Sequence, residues 1–189
     1  MRTPIPMGSM RKIADIDGNE NLKFWVSHLI ILLATVMGVY LAASAGLKSA
    51  VQFELIKSDR DSYYMRSALL DELNDNIQNI QGWGAEYEGG GASKFIGHAG
   101  EFNLDTYVWT TMQEAAGTFE IPSKVLTGIR RYYTNTDINL NKMTSNDGAA
   151  EQVRNMLEQT EALANNVLPF LKQDIENLAS KLDKAGIDL

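Results

Sequence analysis

Apolar residues fall along this chain in three patterns. From Trp25 to Leu47 the sequence reads WVSHLIILLATVMGVYLAASAGL, 23 residues without Asp, Glu, Lys or Arg. Between Leu47 and Gln81 there is no Gly or Pro, and Met65, Leu69, Leu73, Ile77 and Ile80 recur at spacings of 4, 4, 4 and 3, one stripe of an α-helix. From Ala149 to Lys184, Val153, Leu157, Thr160, Ala164, Leu168, Leu171, Ile175, Leu178 and Leu182 are spaced 4, 3, 4, 4, 3, 4, 3 and 4, nearly a heptad with one four-residue insertion. Pro169 interrupts this last pattern and predicts a kink or a split. Two-residue alternation is not sustained anywhere, so the expected class is all-α.

The first pattern has the dimensions of a membrane anchor. At ~1.5 Å per residue it spans about 34 Å, enough for a hydrocarbon core of about 30 Å. Phe24 and Trp25 sit at one boundary, as aromatic rings do at the headgroup level, and Lys48 ends the run where it can snorkel. Ala43-Ser44-Ala45 resembles a signal-peptidase site, but a secretory leader has an apolar core of only about 7–15 residues behind a short basic start. Here 24 residues containing Asp15, Asp17 and Glu20 precede the run, so a permanent anchor is expected. Ala34, Gly38, Ala42, Gly46 and Ala50 place a small residue at every fourth position. Lipid tails give helices no hydrophobic reason to associate, and close backbone approach through small residues supplies one. This ladder is therefore a candidate packing seam. His28 lies in the first turn of the segment, where a solvated interfacial position is expected.

The stripe from Met65 to Ile80 either continues the anchor helix or begins a new one capped by Ser58. Seven of the fifteen glycines fall between Gly82 and Gly100, so regular structure is expected to fail over residues 82–102. That stretch is no phosphate loop, lacking a following Gly-Lys-Ser/Thr. Asn103 or Asp105 can cap a short helix over LDTYVWTTMQEAAG that ends near Gly117, and Pro122 suits the first turn of the next. SNDGA is a turn. The expected architecture is one N-terminal transmembrane helix followed by a three- to four-helix extracytoplasmic bundle. Its parts are a cytoplasmic segment 1–24, the span 25–47, a membrane-proximal helix 48–81, the Gly-rich loop 82–102 and the remaining helices 103–189.

Charge sharpens the orientation. Residues 1–24 carry Arg2, Arg11, Lys12 and Lys23 against three acids, whereas residues 48–189 hold 13 basic and 21 acidic side chains. The positive-inside tendency puts the N-terminus in the cytoplasm and residues 48–189 in the periplasm of a Gram-negative cell, with the anchor in the inner membrane. An acidic distal part argues against nucleic acid, whose phosphates need a basic footprint. The absence of cysteine excludes disulfides, thiolate metal sites and cysteine nucleophiles.

The order of features also resembles a known group. The anchor ends in GVYLA, the next helix carries LLDELNDNIQNI, and a Tyr/Trp helix ending at Gly117 is followed by IPSKVLTGIRRYY. The carrying positions are Leu70, Glu72, Leu73, Asn76, Tyr107, Trp109, Gly117, Leu126, Tyr132 and Tyr133, within residues 25–140. This resembles a widespread, uncharacterised group of small bacterial single-pass inner-membrane proteins with a helical periplasmic domain. The resemblance implies architecture and carries no activity.

Chemistry is sparse. His28 and His98 are the only histidines, and neither Glu-x-x-His nor His-Glu-x-x-His occurs. Asp71, Glu72 and Asp75 read as a solvated acidic face, since oxygen cages need more convergent ligands. His98 is the one candidate base outside the anchor, with no nucleophile motif around it. No cofactor is expected and the chain is not expected to be an enzyme. Tyr63 and Tyr64, and the cluster Arg130, Arg131, Tyr132 and Tyr133, are candidate partner contacts, Arg and Tyr being common interface anchors. The alternative for the second cluster turns Tyr inward and Arg to solvent. The leading expectation is a non-catalytic accessory or scaffolding subunit of an inner-membrane complex, or a homo-oligomer. It would associate through the ladder and, as a second surface, through the Val153–Leu182 stripe. The alternative is a periplasmic ligand-sensing or signalling module acting through a membrane partner.

Overall fold

The structure is a computed structural model and describes residues 8–87, 103–144 and 148–189. All regular structure among them is helical. Helix α1 spans Gly8–Glu86. A seven-residue helix α2, Tyr107–Gln113, leads into a 3-10 segment, Ala116–Glu120. Helices α3, Ser123–Thr144, α4, Ala149–Asn166, and α5, Leu168–Lys184, complete the chain. The chain divides into two units, residues 1–54 and 55–189. Residues 145–147 of the turn expected at SNDGA and most of the Gly-rich loop, with His98, lie outside the described residues.

In the first unit every side chain from Glu20 to Glu54 is exposed. The helix contains an 18-residue window of mean hydropathy 2.1, long and apolar enough to cross a membrane, and none of that window is buried. Two of its polar side chains bond back onto their own helix. His28 Nδ1 donates to the Phe24 carbonyl at 2.9 Å and Thr35 Oγ1 to the Ile31 carbonyl at 2.8 Å, the i−4 pattern by which such groups are satisfied without water. Ser58 begins no new helix, because α1 is unbroken through it.

In the second unit α1 lays its predicted stripe into the core. Leu69, Leu73, Ile77 and Ile80 are buried, and Met65 packs half-buried beside them. Ser62, Arg66, Glu72 and Asn76 are buried on the same side, so the inner face is broader and more polar than the apolar stripe alone. The helix also continues past Gly82, where it was expected to fail. Trp83 packs on the core, and Gly84 is buried so closely against α4 that a Cβ would lie 2.8 Å from Leu157 Cδ2. That packing offsets the low helix propensity of glycine, about 1 kcal/mol per residue.

The aromatic helix is shorter than its sequence suggests. It stops at Gln113, and the Thr118 hydroxyl donates to the Met112 carbonyl to turn the chain into the 3-10 segment. Gly117 lies inside that segment. Pro122 sits just outside α3 rather than in its first turn, its carbonyl accepting the Val125 and Leu126 amides at 2.8 and 3.1 Å.

The C-terminal pattern divides at Val167, with Pro169 in the first turn of α5. The Pro nitrogen falls where a helix N–H has no intrahelical partner, so it costs nothing there. The near-heptad stripe is spent inside the chain: Val153, Thr160, Leu168, Leu171 and Leu182 are buried, and Leu157, Ala164, Ile175 and Leu178 half-buried. It is therefore no second association surface, contrary to expectation. Against the α4–α5 junction stands Gly128 of α3, where a Cβ would meet Val167 Cγ2 at 2.6 Å.

Two glycine substitutions should separate helix propensity from packing. Gly82→Ala meets nothing within 4 Å and should stabilise by about 0.5–1 kcal/mol. Gly128→Ala must displace a stiff β-branched side chain and should destabilise by about 1–3 kcal/mol. Thermal denaturation of the two variants should give shifts of opposite sign.

Candidate membrane anchor and bundle surface

The five ladder residues, Ala34, Gly38, Ala42, Gly46 and Ala50, are all exposed on α1, and a Cβ at Gly38 or Gly46 would enter open space. At the start of the apolar run Phe24 stacks near His28, ring centroids 4.0 Å apart, and meets Trp25 edge-on at 6.1 Å. This aromatic cluster is of the kind that favours a membrane–water boundary.

The candidate partner contacts divide by burial. Tyr64 is exposed and Tyr63 half-buried, their rings edge-to-face at 5.3 Å. Arg130 and Arg131 face solvent, but Tyr132 and Tyr133 are 3% and 7% exposed and belong to the core. The two tyrosines are thus removed from the partner surface, because the α3 period turns them inward and the arginines outward.

What holds Tyr133 is a polar knot around Glu72. The Glu72 carboxylate accepts the Val108 amide at 2.5 Å, the Trp109 amide at 3.1 Å and the Tyr133 hydroxyl at 2.6 Å. Val108 and Trp109 open α2, whose first amides have no intrahelical acceptor. No side chain at Thr106, the residue before α2, caps them. Glu72 is in effect a cap supplied from another helix, and a negative group at a helix N-terminus is favoured by the local dipole. One turn along α1, Asn76 fixes the approach to α2. Its Nδ2 donates to the Asp105 carbonyl at 2.6 Å and its Oδ1 accepts the Asp105 amide at 2.9 Å. The Trp109 and Tyr133 rings stack over this at 5.4 Å and 14°. Glu72 therefore leaves the expected acidic face, while Asp71 and Asp75 remain exposed on it. The clue in the sequence was Glu72 and Asn76, four apart beside an apolar stripe.

A second buried ion sits farther up α1. Arg66 is 3% exposed and pairs with Asp174 of α5 at 2.6 Å and with Glu120 at 3.6 Å, where Ser62 Oγ also donates to Glu120 at 3.2 Å. Arg66 Nε has no partner, so the arginine ties three elements with a donor left over.

Burial pushes the Tyr133 hydroxyl far above the ordinary tyrosine range, and the adjacent Glu72 carboxylate adds to the rise. Burial likewise pushes Tyr132 up to about 12, offset slightly by the nearby Thr160 hydroxyl. The Thr160 hydroxyl donates to the Met156 carbonyl at 2.7 Å, and the Tyr132 hydroxyl has no hydrogen-bond partner. Among the described residues no group of three His, Cys, Asp or Glu converges as a metal would need. No family, curated protein or solved structure matches the chain.

Glu72→Ala orphans two amides and a hydroxyl, each worth about 1–3 kcal/mol when buried and unpaired, and should destabilise by several kcal/mol in denaturant titration. The tyrosines should respond differently. Tyr133→Phe should destabilise by about 1–2 kcal/mol, whereas Tyr132→Phe, which removes an unpaired hydroxyl, should be neutral or stabilising. Because both folded-state values lie above the unfolded value of about 10, the folded chain holds these protons more tightly. Their contribution is full below pH about 10 and is lost as pH rises toward 12 and beyond. Melting temperature should therefore fall across that window, less steeply in the Tyr133→Phe variant.

Proposed function

We propose that the protein is a non-catalytic accessory or scaffolding subunit of a bacterial inner-membrane complex. It is anchored by residues 25–47 of α1, with residues 48–189 in the periplasm. One observation carries the reading: the apolar length of α1 is wholly exposed within its own chain. Burying one large apolar side chain is worth about 1.5–3 kcal/mol. The run from Phe24 through Leu47, with its many Leu, Ile, Val and aromatic residues, would cost tens of kcal/mol in water. A bilayer removes that cost, and the length of the run suits one.

The accessory role follows from what the anchor offers. The ladder Ala34, Gly38, Ala42, Gly46 and Ala50 lies open for another transmembrane helix, from an integral membrane subunit or a second copy of this chain. The acidic charge of the outer domain is consistent with no role for nucleic acid. The buried charges of the bundle, Glu72 and Arg66, are engaged in holding it together, which supports binding over chemistry.

Extraction in mild detergent followed by mass spectrometry should recover membrane subunits, or a second copy, with the wild-type chain. Gly38→Leu and Gly46→Leu, which add bulk to the seam without touching the bundle, should release them. Retention of the same partners by both variants would remove the seam from the proposal.

A further inference from the structure

Arg130 and Arg131 both face solvent, and the structure gives Arg131 a setting that its neighbour lacks. Between α3 and α4 lies a notch of about 230 Å³. Arg131, Asn135, Gln159 and Asn166 supply its polar rim, and Leu163 and Val167 an apolar wall. The notch is made possible by Gly128, which lines it and admits Val167 where any Cβ would collide.

Three features of the rim fix the charge it prefers. Arg131 forms no ion pair among the described residues, so its guanidinium fork is free. Gln159 Oε1 accepts from Asn139 Nδ2 at 3.4 Å, which leaves the Gln159 NH2 as a donor. No Asp or Glu is among the lining residues. A cation with carboxamide donors and no carboxylate suits an anion, and a guanidinium fork matches a carboxylate in geometry. No carboxylate there would pair with an ammonium group, which disfavours amino-acid zwitterions. The Leu163–Val167 wall would be left wet by an inorganic anion, and it suits a short hydrocarbon part. The volume is below the ~300–1,000 Å³ of sites for drug-sized ligands.

We propose that this notch is a binding site for a small aliphatic carboxylate. The carboxylate lies against Arg131 and the Gln159 amide, and the hydrocarbon lies over Leu163 and Val167. The site lies within the bundle and does not depend on the proposed anchoring role.

The test uses the full chain in nanodiscs of zwitterionic lipid, with labelled methyl groups, titrated with isovalerate, isovaleramide, leucine and phosphate. Isovalerate should give saturable shifts at the Leu163 and Val167 methyls. Isovaleramide and leucine should bind at least about tenfold more weakly, and so should isovalerate with Arg131→Gln, as expected for loss of a charge-assisted contact. Arg131 is exposed, so its variant should melt like wild type; if it does not, Gln159→Leu should show the same weakening. The proposal is overturned by absence of saturable shifts, by equal binding of the amide, by undiminished binding in the variants, or by phosphate displacing isovalerate at equal concentration.

Discussion

One carboxylate decides where the short aromatic helix can form. A helix of seven residues is too short to stand alone in water, since nucleation is costly and few hydrogen bonds follow. Glu72 meets that deficit by accepting the first amides of α2 and, with the same group, the Tyr133 hydroxyl of α3. Helices distant in sequence are thereby joined through one side chain of α1. Asn76 adds a two-way bond to the Asp105 backbone, so the chain entering α2 is held as well as the helix. The Trp109–Tyr133 stack closes over both. The residues that carried the family resemblance, Glu72, Asn76, Trp109 and Tyr133 among them, are those that build this knot. Their spacing has a structural reason whatever the lineage of the chain.

The two units solve opposite solvent problems with the same helix type. In residues 55–189 two charged groups go inward and find opposite partners: Glu72 takes three donors and Arg66 two carboxylates. In residues 25–47 apolar groups face outward, and two of the polar side chains, His28 and Thr35, bond to their own backbone. The first arrangement suits water outside and a specified interior. The second suits an apolar exterior with every backbone group satisfied inside one helix.

Much of this was legible from residue order. The 23-residue uncharged run, the Leu69–Ile80 stripe and the break near Pro169 each rest on a local rule of hydropathy period or proline geometry, and each appears where the rule puts it. What was not legible depends on tertiary partners. Glu72 looked like one of three neighbouring acids, because only the arrival of α2 makes its position internal. Helix α1 passes Gly82 and Gly84 because Leu157, more than seventy residues later, packs on it. The Val153–Leu182 stripe had the period of an intermolecular seam, and period alone does not say whether the partner is another chain or the same one. The polar lining beside Arg131 draws on α3, α4 and their junction with α5, residues with no shared local pattern.

The pairing of Arg66 with Asp174 joins positions 108 residues apart, and Lys181 meets Asp59 across 122. Helix α5 thus closes on α1 within residues 55–189. A chain emerging from a ribosome N-terminus first has the Arg66 guanidinium ready long before its counterpart exists. Until α5 is made, Arg66 stays without its Asp174 acceptor, and the Leu171 and Leu182 side of the core is bare. Synthesis therefore passes through a stage in which a buried cation and an apolar flank both wait on one helix.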